Sequence, residues 1–179
     1  METLKTSLKH HLAQYGPIAQ EAWQALHSQL RLFSGRKNQT LHLKPGGIYF
    51  VGKGLIKECV DWQGEGEITI LRLVSEGTVM FAPKAIFGRF YKALEDCELL
   101  ELTWQAAVLL SLRHPGLRSH YECLLSAWLQ LLPDRVSLMR MPRDQRKKQF
   151  LVQHPSLKAR ITNSDLANYL ATSHDFGVC

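Results

Sequence analysis

The longest regular pattern of apolar positions in the chain runs from Pro115 to Met141. Apolar or aromatic side chains recur there at alternating steps of four and three residues, with Arg135 filling one position: Leu117, Tyr121, Leu124, Trp128, Leu131 and Leu138. Such a heptad stripe is typical of a helix that packs along another helix. It predicts one long helix that pairs with a second copy of the chain; the alternative is packing on its own domain. Pro133 is expected to kink or restart this helix.

Two helices and a series of short strands are predicted ahead of the long helix. The helices cover Glu2–Tyr15 and Ile18–Phe33, on either side of a Gly-Pro break. The strands are separated mainly by glycine-containing turns and cover Thr40–Leu43, Ile48–Val51, Leu55–Asp61, Ile68–Val74, Tyr91–Leu94 and Leu99–Thr103. Strands this short and closely spaced predict a sandwich or barrel-like roll. A short helix, Trp104–Leu112, then leads to the long one.

The region behind the long helix is predicted to be mostly helical. A helix up to His154 is followed by a short extended piece at Ala159–Ile161 and then by the N-cap residues Thr162 to Asp165, which open another helix. A further helix start at Ser173 completes the outline of a helix-turn-helix. The chain is therefore predicted to be α+β, with N-terminal helices, an antiparallel β-roll, a long dimerisation helix and a partial helix-turn-helix.

The region behind the long helix differs from the rest of the chain in its charge. The 179 residues carry a net charge of +6 at pH 7. Between Arg140 and Arg160 there are seven basic residues and the single acid Asp144, so this stretch accounts for the whole excess. A polyanion is the natural partner of such a surface, and a solvated helix face is the alternative.

Candidate chemistry is sparse elsewhere. No run of about 18 apolar residues and no signal-peptide pattern occurs, which predicts a soluble, cytoplasmic protein with no membrane partner. The four cysteines form no C-x-x-C pair, and His42 is the only histidine in the predicted roll, so neither a metal site nor a cupin-like enzyme is indicated. No catalytic residue and no cofactor are predicted.

Three stretches resemble the Crp/Fnr family of transcription regulators. They are FVGKGLIK at residues 50–57, ALEDCELL at residues 93–100 and RITNSDLANYL at residues 160–170. The resemblance implies an eight-stranded, cyclic-nucleotide-binding-like sensor roll over residues 1–114, a dimerisation helix over 115–141 and a winged helix-turn-helix reader over 142–179. It also implies a homodimer that binds a two-fold symmetric DNA operator. The implied DNA-binding residues are Ser164, Ser173, His174, Asp175, Arg143, Arg146, Lys147, Lys148, Lys158 and Arg160.

The sensor departs from the pattern of family members that bind cyclic nucleotides. Those members carry a Gly-Glu-Leu/Ile-Ala run and, several residues later, an Arg-Ala or Arg-Ser pair, whereas no glutamate follows Gly77 or Gly88 here. Tight binding of cyclic AMP is therefore not expected. The pocket for an effector, whose identity the sequence leaves open, is expected to be lined by Phe81, Ile86, Phe87, Gly88, Arg89 and Phe90. Arg89 either meets an anion there or is a surface residue.

The reader also departs from the family, whose members continue the recognition helix and add a wing where this sequence reaches Cys179. We interpret the degenerate pocket as the mark of a subgroup and the reader as truncated, and expect DNA binding that is weak and indifferent to sequence. The alternative function is a regulatory protein that binds a small molecule or cyclic nucleotide and acts without specific DNA contacts.

Overall fold

Two four-stranded antiparallel sheets form the body of the protein in a computed structural model that describes residues 1–61, 68–83 and 88–171. The first sheet has the order β1-β8-β3-β6, with strands at Arg31–Gly35, Cys97–Leu102, Ile48–Lys53 and Val79–Phe81. The second has the order β2-β7-β4-β5, with strands at Thr40–Leu41, Arg89–Ala93, Leu55–Asp61 and Ile68–Ser75. The predicted α+β class and β-roll are confirmed.

Helices flank the roll on both sides in the sequence. Two precede it, α1 at Glu2–Ala13 and α2 at Gln20–Gln29. After it come α3 at Trp104–Arg113, α4 at Gly116–Met139, α5 at Arg143–Gln153, a 3-10 turn at Pro155–Leu157 and α6 at Asn163–Tyr169. The predicted N-cap of α6 is present, since the Thr162 hydroxyl accepts from the Asp165 amide at 3.1 Å. Within the described ranges no helix combines the length and apolarity needed to cross a membrane.

The two sheets pack face to face over one apolar cluster and are covered on their outer faces by two more. The inter-sheet cluster includes Tyr49, Val51, Ile56, Met80 and Leu99. The N-terminal cluster lies between the first sheet and α1 to α4 and includes Leu8, Leu26, Phe50, Leu100 and Leu110. The C-terminal cluster lies between the second sheet and the last helices and includes Leu55, Ile70, Phe150, Leu166 and Leu170. Because both faces of β3 are covered, the strand reads as a continuous apolar run rather than an alternation.

The prediction of one helix over Ile18–Phe33 is wrong at its C-terminal end. Helix α2 ends at Gln29, Leu30 already has an extended backbone, and the residues that follow form β1. Strand β1 pairs antiparallel with β8, with Phe33 opposite Leu99. Leu26 and Leu30 are both buried, in agreement with helical spacing, but that spacing could not show that the edge of β8 takes the next residues as a strand.

Other predicted boundaries also change. The predicted extended piece at Ala159–Ile161 is wrong, because the amides of Arg160 and Ile161 both donate to the Leu157 carbonyl in a tight turn. Strand β6 was not predicted, since three residues are too few to show alternation. The first predicted strand is shortened to Thr40–Leu41, and the last two begin two residues earlier than expected.

The long helix is confirmed, but its heptad stripe faces the chain itself. Helix α4 continues through Pro133 without a restart, which is tolerated because this stretch is exposed and the Leu129 carbonyl can be hydrated. Within a single chain, four members of the stripe are buried and two are partly buried: Leu117, Leu124, Trp128 and Leu138, then Tyr121 and Leu131. These six residues pack against other parts of their own chain, and their role in a dimer interface stays a prediction. The alternative, packing on the helix's own domain, is what the structure shows.

Candidate nucleic-acid interface and sensor site

The basic helix α5 presents its charges to solvent and anchors itself by one aromatic residue. Phe150 is buried against Tyr169 of α6, with ring centroids 5.5 Å apart. Arg143 and Lys148 of α5 are exposed, as is Lys158 just beyond the 3-10 turn. In the part of the chain that the structure describes, these three side chains have no ion-pair partner. They are therefore available to an external anion.

Arg146, another predicted phosphate contact, is used inside the protein. Its Nε donates to the Met141 carbonyl at 3.0 Å and its Nη2 to the Met139 carbonyl at 2.8 Å. Its Nη1 donates to the carbonyls of Leu170 and Ala171 at 2.9 and 3.2 Å. The guanidinium thus satisfies the last carbonyls of α4 and α6 together, which a helix end needs from some partner. This placement argues for a structural role rather than a phosphate contact.

Arg160 is likewise engaged, in this case with the roll. Its guanidinium donates to both carboxyl oxygens of Glu95 at 2.8 and 2.7 Å and to both oxygens of Glu76 at 2.8 Å. Hydrogen bonds from Arg160 hold the pKa of both carboxyl groups below the ordinary glutamate range. The charge of Arg160 is thus offset within the protein, so this residue is not a free phosphate contact.

Lys147 and Ser164 lie near each other at the start of α6. The Lys147 ammonium is 3.5 Å from the Asn163 side-chain oxygen, and Ser164 is exposed in the first turn of the helix. The other three predicted base-reading residues, Ser173, His174 and Asp175, lie outside the described residues. The structure therefore leaves part of the predicted phosphate-binding set exposed, and the predicted recognition helix lies outside the described residues.

Helix α6 is held on the roll by polar contacts to strand β5, which is the edge of the second sheet. The Asn168 side-chain oxygen accepts from the Ile70 amide at 2.7 Å, and its amide nitrogen donates to the Ile68 carbonyl at 2.6 Å. Asn168 thus fills the hydrogen-bonding position that a further strand would occupy. Lys57 of β4 forms an ion pair with Asp165. These bonds and the C-terminal cluster join residues 142–171 to the roll.

A buried charge cluster lies on the inner face of the second sheet. Glu58 of β4 has no exposed surface; its carboxylate pairs with Arg72 of β5 and lies 2.7 Å from the Arg89 Nη1 of β7. The Arg72 guanidinium carbon lies 4.3 Å from the centre of the Trp128 ring on α4, a favourable cation–π distance. Burial raises the pKa of the nearby Tyr91 hydroxyl.

This cluster changes the interpretation of Arg89 and of the predicted pocket. The charge of Arg89 is offset by Glu58, so the residue is neither an isolated anion ligand nor a surface residue. Gly88 has a φ of 75°, and a β-carbon there would clash with the Asp61 carbonyl, so its role is a close backbone approach. Phe81 packs on Tyr121 with ring centroids 5.4 Å apart, whereas Phe90 joins the C-terminal cluster. The described members of the predicted apolar pocket therefore do not line one cavity, and Ile86 and Phe87 lie outside the described residues.

Glu58 and Arg72 were missed at the level of sequence, although a signal was present. In β4 the inward positions are Ile56, Glu58 and Val60, so a carboxylate stands where the alternation places an apolar residue. A buried charge of this kind requires an opposite charge nearby. That requirement would have predicted an inward basic partner on a neighbouring strand.

Comparisons with known proteins agree on the fold. No family model matches the sequence, and no curated protein matches it. FixK2 from Bradyrhizobium japonicum is similar in structure, with a TM-score of 0.69 and 15% identity over 82% of this chain and 79% of that chain. A Crp/Fnr-family transcriptional regulator from Eubacterium rectale has a TM-score of 0.69 and 14% identity, with coverages of 90% and 83%. The c-di-GMP-responsive global regulator CLP from Xanthomonas campestris has a TM-score of 0.65 and 15% identity, with coverages of 88% and 87%.

At these identities the likeness establishes the fold alone. The chain has the roll-and-helix fold of Crp/Fnr regulators, as the sequence resemblance implied. The last two proteins compared are named as regulators of transcription or gene expression rather than as enzymes.

Proposed function

We propose that this protein is a homodimeric, DNA-binding regulator of transcription, with residues 1–114 as sensor, 115–141 as connecting helix and 142–179 as reader. The observation that carries the proposal is the exposed charge of Arg143, Lys148 and Lys158, which have no ion-pair partner among the described residues. They lie on the segment that holds the whole positive excess of the chain. The shared fold with Crp/Fnr regulators supports the same assignment. Arg146 and Arg160 position this surface without contributing free charge to it.

The three exposed charges are suited to phosphate contacts rather than to base recognition. Lysine and arginine heads on flexible, solvent-exposed stems neutralise backbone phosphates and release counterions, which gives affinity without sequence information. Ser164, Ser173, His174 and Asp175 remain the proposed contacts to bases. The described surface alone supports a non-specific dissociation constant on the order of 10⁻⁴ to 10⁻⁶ M at physiological salt.

The test compares two triple variants by fluorescence anisotropy on a random-sequence duplex. Replacing Arg143, Lys148 and Lys158 with alanine is expected to weaken binding by at least tenfold at low salt. The matched control replaces Arg36, Lys37 and Lys53, which are exposed on the roll, and is expected to change affinity less than threefold. Equal losses in both variants would show that net charge alone, not this surface, attracts DNA.

The sensor is proposed to act without tight binding of cyclic AMP. Two arginines and one glutamate already occupy the inner face of the second sheet, and neither guanidinium is free of Glu58. Binding a cyclic phosphate there would require this buried pair to be broken, which typically costs about 3–5 kcal/mol. Calorimetry is expected to give no dissociation constant in the micromolar range or below for cyclic AMP.

The homodimer is proposed to form through a second stripe of α4, because the first is buried in the chain. This outer stripe repeats the four-and-three spacing one position further round the helix, at Leu125, Leu129, Leu132, Val136 and Met139. Leu129 is 55% exposed and Val136 is 47% exposed, unusually high for large apolar side chains in a regular pattern. Two such stripes in contact form a parallel helix pair and place the two basic segments on the same side.

A further inference from the structure

We propose that the protein binds a small, uncharged, apolar molecule in a cavity beneath its N-terminal helices. The cavity has a volume of about 80 Å³ and lies between the outer face of the first sheet and helices α1 to α4. It is separated from the inter-sheet cluster, and from the buried charges at Arg72 and Arg89, by the first sheet itself. The site is therefore distinct from the interior of the roll and from the basic surface.

The side chains that line the cavity favour an apolar ligand. They are formed by buried side chains from four helices and the first sheet, among them Leu8, Leu26, Phe50, Leu100, Leu110 and Leu124. A water molecule held in a protein interior needs two to four polar partners, and a cavity that lacks them stays dry. The cavity is large enough for several water-sized spheres, so an apolar occupant is the one it can hold without unpaired hydrogen bonds.

Three polar side chains lie at the cavity wall: Ser111, His120 and Tyr121. The first two contact backbone carbonyls. The Ser111 hydroxyl donates to the Ala107 carbonyl at 2.9 Å. The two ring nitrogens of His120 lie 3.0 Å from the Gly116 carbonyl and 3.2 Å from the Gly16 carbonyl. A neutral imidazole has one N–H donor, so the His120 ring donates to one of these two carbonyls. Because most of the lining side chains are aliphatic or aromatic, the cavity favours an apolar occupant over a charged one.

Cavity size limits the ligand further. An apolar protein cavity of about 150 Å³ takes benzene or xenon. At about half that volume, this cavity fits a monatomic or diatomic gas or a very small hydrocarbon without rearrangement, and a six-membered ring only with movement of its walls. The ligand class is therefore a small apolar molecule of dissolved-gas size, for which xenon is the appropriate probe.

The position of the cavity couples its occupancy to the long helix. Leu117, Tyr121 and Leu124 of α4 form one wall, and His120 on the same helix contacts the α1–α2 connection through Gly16. Helix α4 leads directly into α5 and its basic surface. An occupant with different affinity for two positions of α4 would shift the population between them.

The experiment is a methyl NMR titration of the full chain with xenon under pressure. The wild type is expected to show saturable shifts confined to methyl groups of the cavity, such as those of Leu8, Leu110 and Leu124. Ala107→Leu adds three carbons at the cavity wall and is expected to weaken xenon binding at least tenfold. Ala127→Leu, on the exposed side of α4, is the matched control and is expected to keep wild-type affinity.

A second variant covers the case in which Ala107→Leu fails to fold. Leu110→Ala enlarges the cavity and is expected to bind benzene at least tenfold more tightly than the wild type. The proposal is overturned if wild-type methyl shifts do not saturate or occur equally in the inter-sheet methyls of Val51 and Ile56. It is also overturned if folded Ala107→Leu binds xenon as the wild type does, or if Leu110→Ala gains no benzene affinity.

Discussion

Glu58 shows how one side chain determines what the roll can bind. Its carboxylate is fully buried between Arg72 and Arg89, and Arg72 in turn lies on the Trp128 ring of α4. The charges therefore link three strands of the second sheet to the long helix. The nearby Tyr91 hydroxyl is buried beside the same charges.

Glu58→Gln is expected to destabilise the protein by about 3–5 kcal/mol, because two buried guanidinium groups lose their counter-charge. Urea unfolding followed by circular dichroism measures this change. Glu122→Gln is the control: Glu122 pairs with Arg118 on the surface of α4, and such pairs contribute about 1 kcal/mol or less. A loss of stability below about 1 kcal/mol for Glu58→Gln would mean that Glu58 does not pair with both guanidinium groups.

The ion pairs of Arg160 with Glu76 and Glu95 should make the stability of the protein depend on pH. Because the folded-state pKa of Glu76 and Glu95 is lowered by Arg160, their contribution to stability is complete above the unfolded pKa of about 4.3 and is lost as pH falls through the lower folded value. Arg160→Met is therefore expected to be less stable than wild type at pH 7, and the gap should narrow below about pH 4. Thermal unfolding at pH 7 and pH 3 tests this. Arg118→Met, on the exposed pair of α4, should show little gap at either pH.

At the scale of elements, the sequence predicted which segments form helices and strands more accurately than it predicted what each element packs against. The heptad stripe of α4 correctly marked a continuous apolar face, but apolar spacing does not say whether that face meets a partner or the same chain. Only the fold places the roll against Leu124 and Trp128 and leaves Leu129 outside. In the same way, the basic segment was predicted as a group, but the partners of Arg160 lie 65 and 84 residues away in the sequence. No local pattern in the sequence could distinguish the paired Arg160 from the exposed Lys158.

The docking of α6 on the edge of β5 can be tested at Asn168. Asn168→Leu removes both hydrogen bonds to the strand and leaves the Ile70 amide and Ile68 carbonyl without partners. The Ile68 carbonyl is exposed and can be hydrated, whereas the Ile70 amide is partly buried. A buried donor left without a partner costs about 1–3 kcal/mol, so a loss of about 1 kcal/mol is expected in urea unfolding. Asn163→Leu, exposed in the first turn of the same helix, should change stability by less than about 0.5 kcal/mol. Similar losses for the two variants would argue against the docking contact.

At the scale of the whole molecule, three sets of contacts hold the predicted sensor and the predicted reader together. The C-terminal cluster, the Asn168 bonds and the Arg160 ion pairs all join residues 142–171 to the roll. Leu129 and Val136 of the outer stripe stay exposed. The resemblance correctly implied a β-roll followed by a long helix. It gave no information on how closely they pack, because that depends on contacts between distant residues.

The outer stripe of α4 predicts how a dimer would be broken. Replacing Leu129 and Val136 with glutamate would bury unpaired charge in a helix pair and is expected to give monomers. Light scattering coupled to gel filtration measures the mass. Glutamate at Leu109 and Leu112, which are exposed on α3, is the control and should leave the dimer intact. A dimer that survives the α4 changes would place the interface elsewhere.

The most direct test of the proposed function is the salt dependence of DNA binding by the wild type and by the triple alanine variant at Arg143, Lys148 and Lys158. Each phosphate contact contributes about 0.9 to the slope of the logarithm of the binding constant against the logarithm of salt concentration. Anisotropy titrations between about 50 and 200 mM salt should therefore show a slope shallower by about 2.7 for the variant if each chain's three side chains contact phosphates, and by about twice that for a dimer that uses both sets. An unchanged slope would contradict the account, because these side chains would then not contact DNA.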